Sequence, residues 1–117
     1  MTKDRFSYQS EKLSQARSVL MAPHPWGEEI SFIEAFRYCT HAFEDFDVTR
    51  VKDKNACGWI ETIKRLMDTT NVQDPTNDGL WLQRARAMDL EEKREFSEAV
   101  NELADWFKRQ LLSEGES

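Results

Sequence analysis

The chain has 117 residues, of which 39% are apolar and 32% charged, and carries a net charge of −6. Two independent cores would leave each fewer than about 60 residues, so one domain is expected and a multidomain enzyme is excluded. At this size about two-thirds of the extended-chain surface is coverable, which permits a core without a disulfide or metal staple, and the acidic balance disfavours general nucleic-acid binding.

In chain order, residues 4–21 place Phe6, Leu13, Ala16 and Leu20 at helical spacing, with Ser7, Ser10, Ser14 and Ser18 on a separate hydroxyl face that suits solvent or a close helix contact. Pro23 and Pro25 break the chain, and Glu28 and Glu29 then suit the positive end of a new helix dipole. From 27 to 46, Phe32, Phe36, Cys39, Phe43 and Phe46 form one stripe with Ile30, Ile33 and Thr40 beside it. So wide an apolar arc predicts the centre of a bundle.

Residues 47–54 read as a polar connection, helical in part. The next helix, 54–69, fits the i, i+3, i+4, i+7 template through Ala56, Trp59, Ile60, Ile63, Leu66 and Met67, although Gly58 costs about 1 kcal/mol of propensity. A loop over 70–78 leads to a short helix, 79–88, with Leu80, Trp81, Ala85 and Met88. Asp89 and Glu92 then form a capping-box pattern for a long helix, 90–112, whose face is Phe96, Ala99, Val100, Leu103, Ala104, Phe107 and Leu111. Gly115 is expected to end it, leaving a frayed tail over about 113–117.

The expected fold is all-α, a single-domain bundle of four to five helices around a Phe-rich central helix, with the C-terminal helix as an outer wall. Four Trp, seven Phe and two Tyr supply ring area that a disordered chain lacks. Trp26, Trp59, Trp81 and Trp106 are expected at helix junctions.

Cys39 and Cys57 form no CxxC pair and read as reduced intracellular thiols. The N-terminus has no apolar h-region, and no run approaches 18 apolar residues, so a soluble, cytoplasmic protein is expected. The Ser-rich stretch 1–22 also fits a transit peptide, a reading that Asp4 and Glu11 weigh against.

The strongest surface pattern is acidic. Glu91, Glu95, Glu98, Glu102 and Asp105 advance by four and three residues along the last helix and share one face over about 21 Å. Arg94 lies within reach of Glu91 and Arg109 within reach of Asp105, whereas Glu95, Glu98 and Glu102 have no base at i+3 or i+4. A ridge of one sign is either a solvated face or a docking surface for a basic partner, since such charge accelerates association and selects partners.

Other constellations carry less chemistry. Glu34, Tyr38, His41 and Asp45 share a face of the central helix, and Asp45 at i+4 is placed to orient the imidazole of His41, but no nucleophile accompanies them. Cys39 and His41 lie about 200° apart on a helix and cannot chelate one ion together. His24, between two prolines, is a rigid imidazole without a zinc or di-iron motif. Asp74, Thr76, Asp78 and Gly79 mimic the start of an EF-hand, but Ala85 stands where the bidentate Glu belongs, so helix capping by Asn77 or Asp78 replaces calcium. No metal or cofactor is expected, and no phosphate-loop, dinucleotide or hydrolase motif is present. Arg50, Lys52, Lys54, Lys64 and Arg65 are a basic segment that suits the acids of 28–47 within the fold or between copies. About nine loop residues before Gln83, Arg84 and Arg86 are too many for a helix-turn-helix.

The functional expectation is a small acidic binding or regulatory protein without catalysis, which meets a basic protein surface or its own copies and neither membrane nor nucleic acid. Two alternatives stay open. One is a ligand- or metal-binding helical enzyme that uses His24, His41 and the loop 70–79; the other is a homo-oligomeric structural protein.

Overall fold

The computed structural model describes residues 6–22 and 27–116, with side chains to Leu112, and among these every regular element is helical. The helices are α1 (Ser7–Met21), α2 (Glu28–Phe43), α3 (Lys54–Met67), α4 (Leu80–Ala87) and α5 (Leu90–Glu116), with a 3-10 turn at Val48–Arg50. The expected all-α bundle is thus present. α5 passes Gly115 rather than stopping there.

Side chains at the chain's turns start several of these helices. Asp53 caps α3 by accepting the Ala56 amide at 3.0 Å. At α5 the capping box closes both ways: the Glu92 amide donates to Asp89 Oδ1 at 2.8 Å, and the Asp89 amide donates to Glu92 Oε1 at 3.2 Å. α2 and α4 start instead from glycines with positive φ, +98° at Gly27 and +108° at Gly79, a backbone region that side-chain-bearing residues avoid.

α2 ends three residues earlier than its apolar stripe suggests. Glu44 turns extended and Asp45 adopts φ +55°, which Asp tolerates better than most residues, so Phe46 reaches the core from a turn and not from the helix. There it meets Phe6 at 6.1 Å and Phe107 at 6.0 Å between ring centroids.

The rings form two groups. Phe32, Phe36, Trp81 and Phe96 join α2, α4 and α5, with Phe36 edge-on to Phe96 at 5.2 Å. Phe6, Phe46, Trp106 and Phe107 join the start of α1, the turn after α2 and the later turns of α5. Phe36, Cys39, Leu13, Ile63, Leu66, Phe96, Val100, Leu103 and Phe107 are fully buried.

α1 packs on α2 and α5, α3 on α5, and α4 on α2. α5 is therefore more than the expected outer wall, because its face from Phe96 to Phe107 lies under both α1 and α3. The serine face of α1 divides accordingly: Ser10 is buried, Ser14 half-buried, and Ser7 and Ser18 are exposed. Beside Ser10, the buried Gln9 amide donates to the Ala42 carbonyl at 3.2 Å and ties α1 to the end of α2. Trp59 and Trp81 pack at the core margin and Trp106 is buried, while Trp26 lies outside the described residues.

Candidate protein-docking ridge

The capping box fixes where α5 begins, and the buried face from Phe96 to Phe107 fixes its rotation, so the five carboxylates emerge on the opposite side. The structure divides them by whether a described residue pairs with them. Glu91 faces Arg94 at 3.9 Å and Asp105 meets Arg109 at 3.0 Å, both along the helix. Glu95 has a partner after all: Arg65 reaches across from α3 and closes to 2.6 Å. Spacing along one helix could not reveal this bond, because its partners lie 30 residues apart. Glu98 and Glu102 are exposed and make no ion pair with any described residue.

Beside Glu98 the surfaces of α1 and α5 part into a shallow cleft of 230 Å³, lined by Arg17, Leu20 and Met21 from α1 and by Ser97, Glu98 and Asn101 from α5. Its α1 wall carries Leu20 and Met21 beside Arg17, and Met21 is 73% exposed.

The basic segment 50–66 meets the acids of 28–47 at Asp47, where the Thr49 hydrogen bonds, with the charges of Arg50 and Lys52 added, hold the carboxyl below its usual range; the other contacts of its cations lie elsewhere. Arg65 goes to Glu95, Arg50 lies over the Phe6 ring and Lys64 over the Phe43 ring. The acids Glu28 and Glu29 are met instead by Lys93 of α5 and Arg86 of α4.

Of the alternative ligand-site reading, His41 and Asp45 lie at the end of α2 and just beyond it. His41 sits with Nδ1 3.5 Å from Glu44, and Asp45, which lies beyond the end of α2, does not orient it. Tyr38 is covered by the Lys12 ammonium, 5.9 Å from its ring centre. His24 lies outside the described residues.

In the 70–79 loop, Asp74 collects the amides of Asp78 and Gly79, each at 2.9 Å, and the Gln83 side-chain amide at 3.0 Å. Lost hydration opposes ionisation of Asp74, but hydrogen bonds from Gly79, Gln83, Asp78 and Asn77 outweigh it and hold the carboxyl below the usual range. The capping expected of Asn77 or Asp78 is not made: Gly79 occupies the cap position of α4 without a side-chain bond, and Asp74 instead holds the loop amides of Asp78 and Gly79 just before the helix.

A cleft of 510 Å³ opens at the same corner, with Arg65, Asp68, Gln83 and Arg84 beside Val72 and Ala87 in its lining, and does not include His41. Both of its guanidinium groups are engaged, Arg65 by Glu95 and Arg84 by the Leu66 carbonyl at 2.7 Å and Glu92 at 3.1 Å. Burial raises the Cys39 thiol far above its ordinary pKa, and Cys57 donates its thiol to the Val51 carbonyl at 3.2 Å.

Among the described residues no three His, Cys, Asp or Glu side chains gather with the geometry of a metal site, and no helix is long and apolar enough to cross a membrane. No protein-family model, no curated protein and no solved structure matches the chain. The fold and the ridge thus define an all-α bundle with an acidic outer helix face.

Proposed function

We propose that the protein is a non-catalytic binding or regulatory module that captures a basic protein surface on the outer face of α5. The observation that carries this reading is the contrast within the ridge: Glu91, Glu95 and Asp105 are each met by an arginine, whereas Glu98 and Glu102 stand exposed at its centre with no ion pair to a described residue. Two carboxylates one turn apart on a rigid helix present a fixed pair of acceptors to Lys or Arg side chains. Rim charge of this kind speeds encounter and selects against acidic partners. A soluble, cytoplasmic setting belongs to the same reading.

The test is capture from the source cell with the intact protein and with the double variant Glu98→Lys, Glu102→Lys, each at low and raised salt. Capture should fall in the double variant and on raising salt, because exposed charge contacts are screened within about 10 Å at 0.1 M ionic strength. Helix content should be unchanged, since neither side chain bonds to a described residue. Equal capture by both proteins at low salt overturns the reading.

A further inference from the structure

We infer that the cleft between α1 and α5 seats the apolar stripe of an amphipathic partner helix, with the partner's Lys or Arg side chains toward Glu98 and Glu102 and a carboxylate of the partner toward Arg17. For its basic flank this rests on the docking reading above.

The chemistry of the walls specifies the occupant. The apolar part of the lining is Leu20 and Met21, and Met21, at 73% exposure, is a large apolar side chain left wet. Unbranched and polarisable, methionine adapts to a partner side chain better than a branched residue does. The rims differ in sign: Arg17 stands on the α1 side, and Glu98, with Glu102 one turn on, stands on the α5 side. An apolar stripe between borders of opposite charge is the complement of such a groove, and the two borders set the direction in which the partner lies.

The occupant is helical because the α5 wall has its backbone paired within the helix and the α1 wall, the last turn of α1, leaves only its final carbonyls open. They offer no row of amides and carbonyls to an extended peptide, and a helix satisfies its own backbone before it enters an apolar groove. A second copy fits poorly, since each copy carries a net charge of −6 and a two-fold α5-to-α5 contact sets Glu98 and Glu102 against like carboxylates. An anionic lipid surface is repelled by the same pair.

The probe is a labelled synthetic helix of about 18 residues, five turns long, with a leucine stripe bordered by lysine on one side and glutamate on the other. A peptide of identical composition in shuffled order, with no apolar stripe, is the control. Binding is followed by fluorescence anisotropy. The intact protein should hold the ordered peptide at least about tenfold more tightly than the shuffled one, and Met21→Asp should lose about that factor while keeping its helical circular dichroism. Arg17→Glu should weaken the ordered peptide and leave the shuffled peptide unaffected.

Equal binding of the two peptides, both lost in the Glu98→Lys, Glu102→Lys variant, overturns the groove and leaves the acidic docking reading standing. Met21→Asp binding as tightly as the intact protein overturns the groove, as does failure of the intact protein to bind either peptide. Binding that depends on Met21 and ignores the carboxylate reversal overturns the docking reading and the flank assignment with it.

Discussion

Arg84 of α4 donates from Nε to the carbonyl oxygen of Leu66, the last buried residue of α3, at 2.7 Å. Its other arm reaches Glu92 in the first turn of α5, so one guanidinium fastens three helices at their ends. Arg84 retains only 15% side-chain exposure and Glu92 29%, so solvent screens the pair weakly. Arg84→Met should therefore cost about 1–3 kcal/mol, the range for a charge-assisted hydrogen bond whose partner is left without it. Arg109→Met removes an exposed pair and should cost no more than about 0.5 kcal/mol. Urea denaturation of the two variants checks the difference.

The edge-on contact of Phe36 with Phe96 is the centre of the first ring group, and both rings are fully buried. Phe36→Ala should cost about 3–5 kcal/mol, and Phe36→Leu less, because it leaves a smaller cavity. Ile30→Ala, at a 37% exposed position of the same helix, should fall within about 1 kcal/mol of the parent. Thermal melts of the three variants give the order, and a Phe36→Ala protein as stable as the Ile30→Ala protein contradicts this core.

Two glycines should respond with opposite sign. Gly79 holds φ +108° at the start of α4 with open space where a Cβ would stand, so the strain in Gly79→Ala is all backbone and should cost about 1–2 kcal/mol. Gly58 lies inside α3, also with nothing near the new Cβ, and Gly58→Ala should stabilise by about 0.5–1 kcal/mol. Chemical denaturation midpoints moving apart in this way check both.

Asp47 and Asp68 sit in matching turns, each accepting the amide of a threonine two residues on at 3.0 Å and its hydroxyl at 2.6 Å. Those threonine bonds hold both carboxyls below the ordinary carboxylate range. Asp74 is held low in the same direction, against its lost hydration, by its loop amides and Gln83. A folded value below the unfolded value of about 3.9 gives stability that is present above pH 4 and lost as pH falls through the folded values. The triple variant Asp47→Asn, Asp68→Asn, Asp74→Asn should be less stable at neutral pH, and its acid loss should be shallower. Urea midpoints measured from about pH 6 down to about pH 3 check it.

Helix positions were legible where burial follows the helical period. Ala56, Ile60, Ile63 and Leu66 repeat every three or four residues, and Phe96, Ala99, Val100, Leu103 and Phe107 follow the i, i+3, i+4, i+7, i+11 pattern; all are buried in place. Phe46 misled because ring burial looks the same from a turn as from a helix, and a left-handed Asp45 leaves no periodic mark. In the ridge, the lack of an ion pair from Glu98 or Glu102 to any described residue agrees with spacing along α5, while Glu95 with Arg65 and Arg84 with Leu66 depend on how helices distant in sequence meet. The cleft at Arg17 and Met21 was not legible either, since it exists only where α1 and α5 part.

The chain's two sulfhydryls carry a built-in contrast. Cys39 is wholly enclosed by the bundle, while Cys57 is half-buried in the first turn of α3. An alkylating reagent should mark Cys57 in the native protein, and reach Cys39 only in molecules that have opened, so the slow second label counts how often the whole core comes apart.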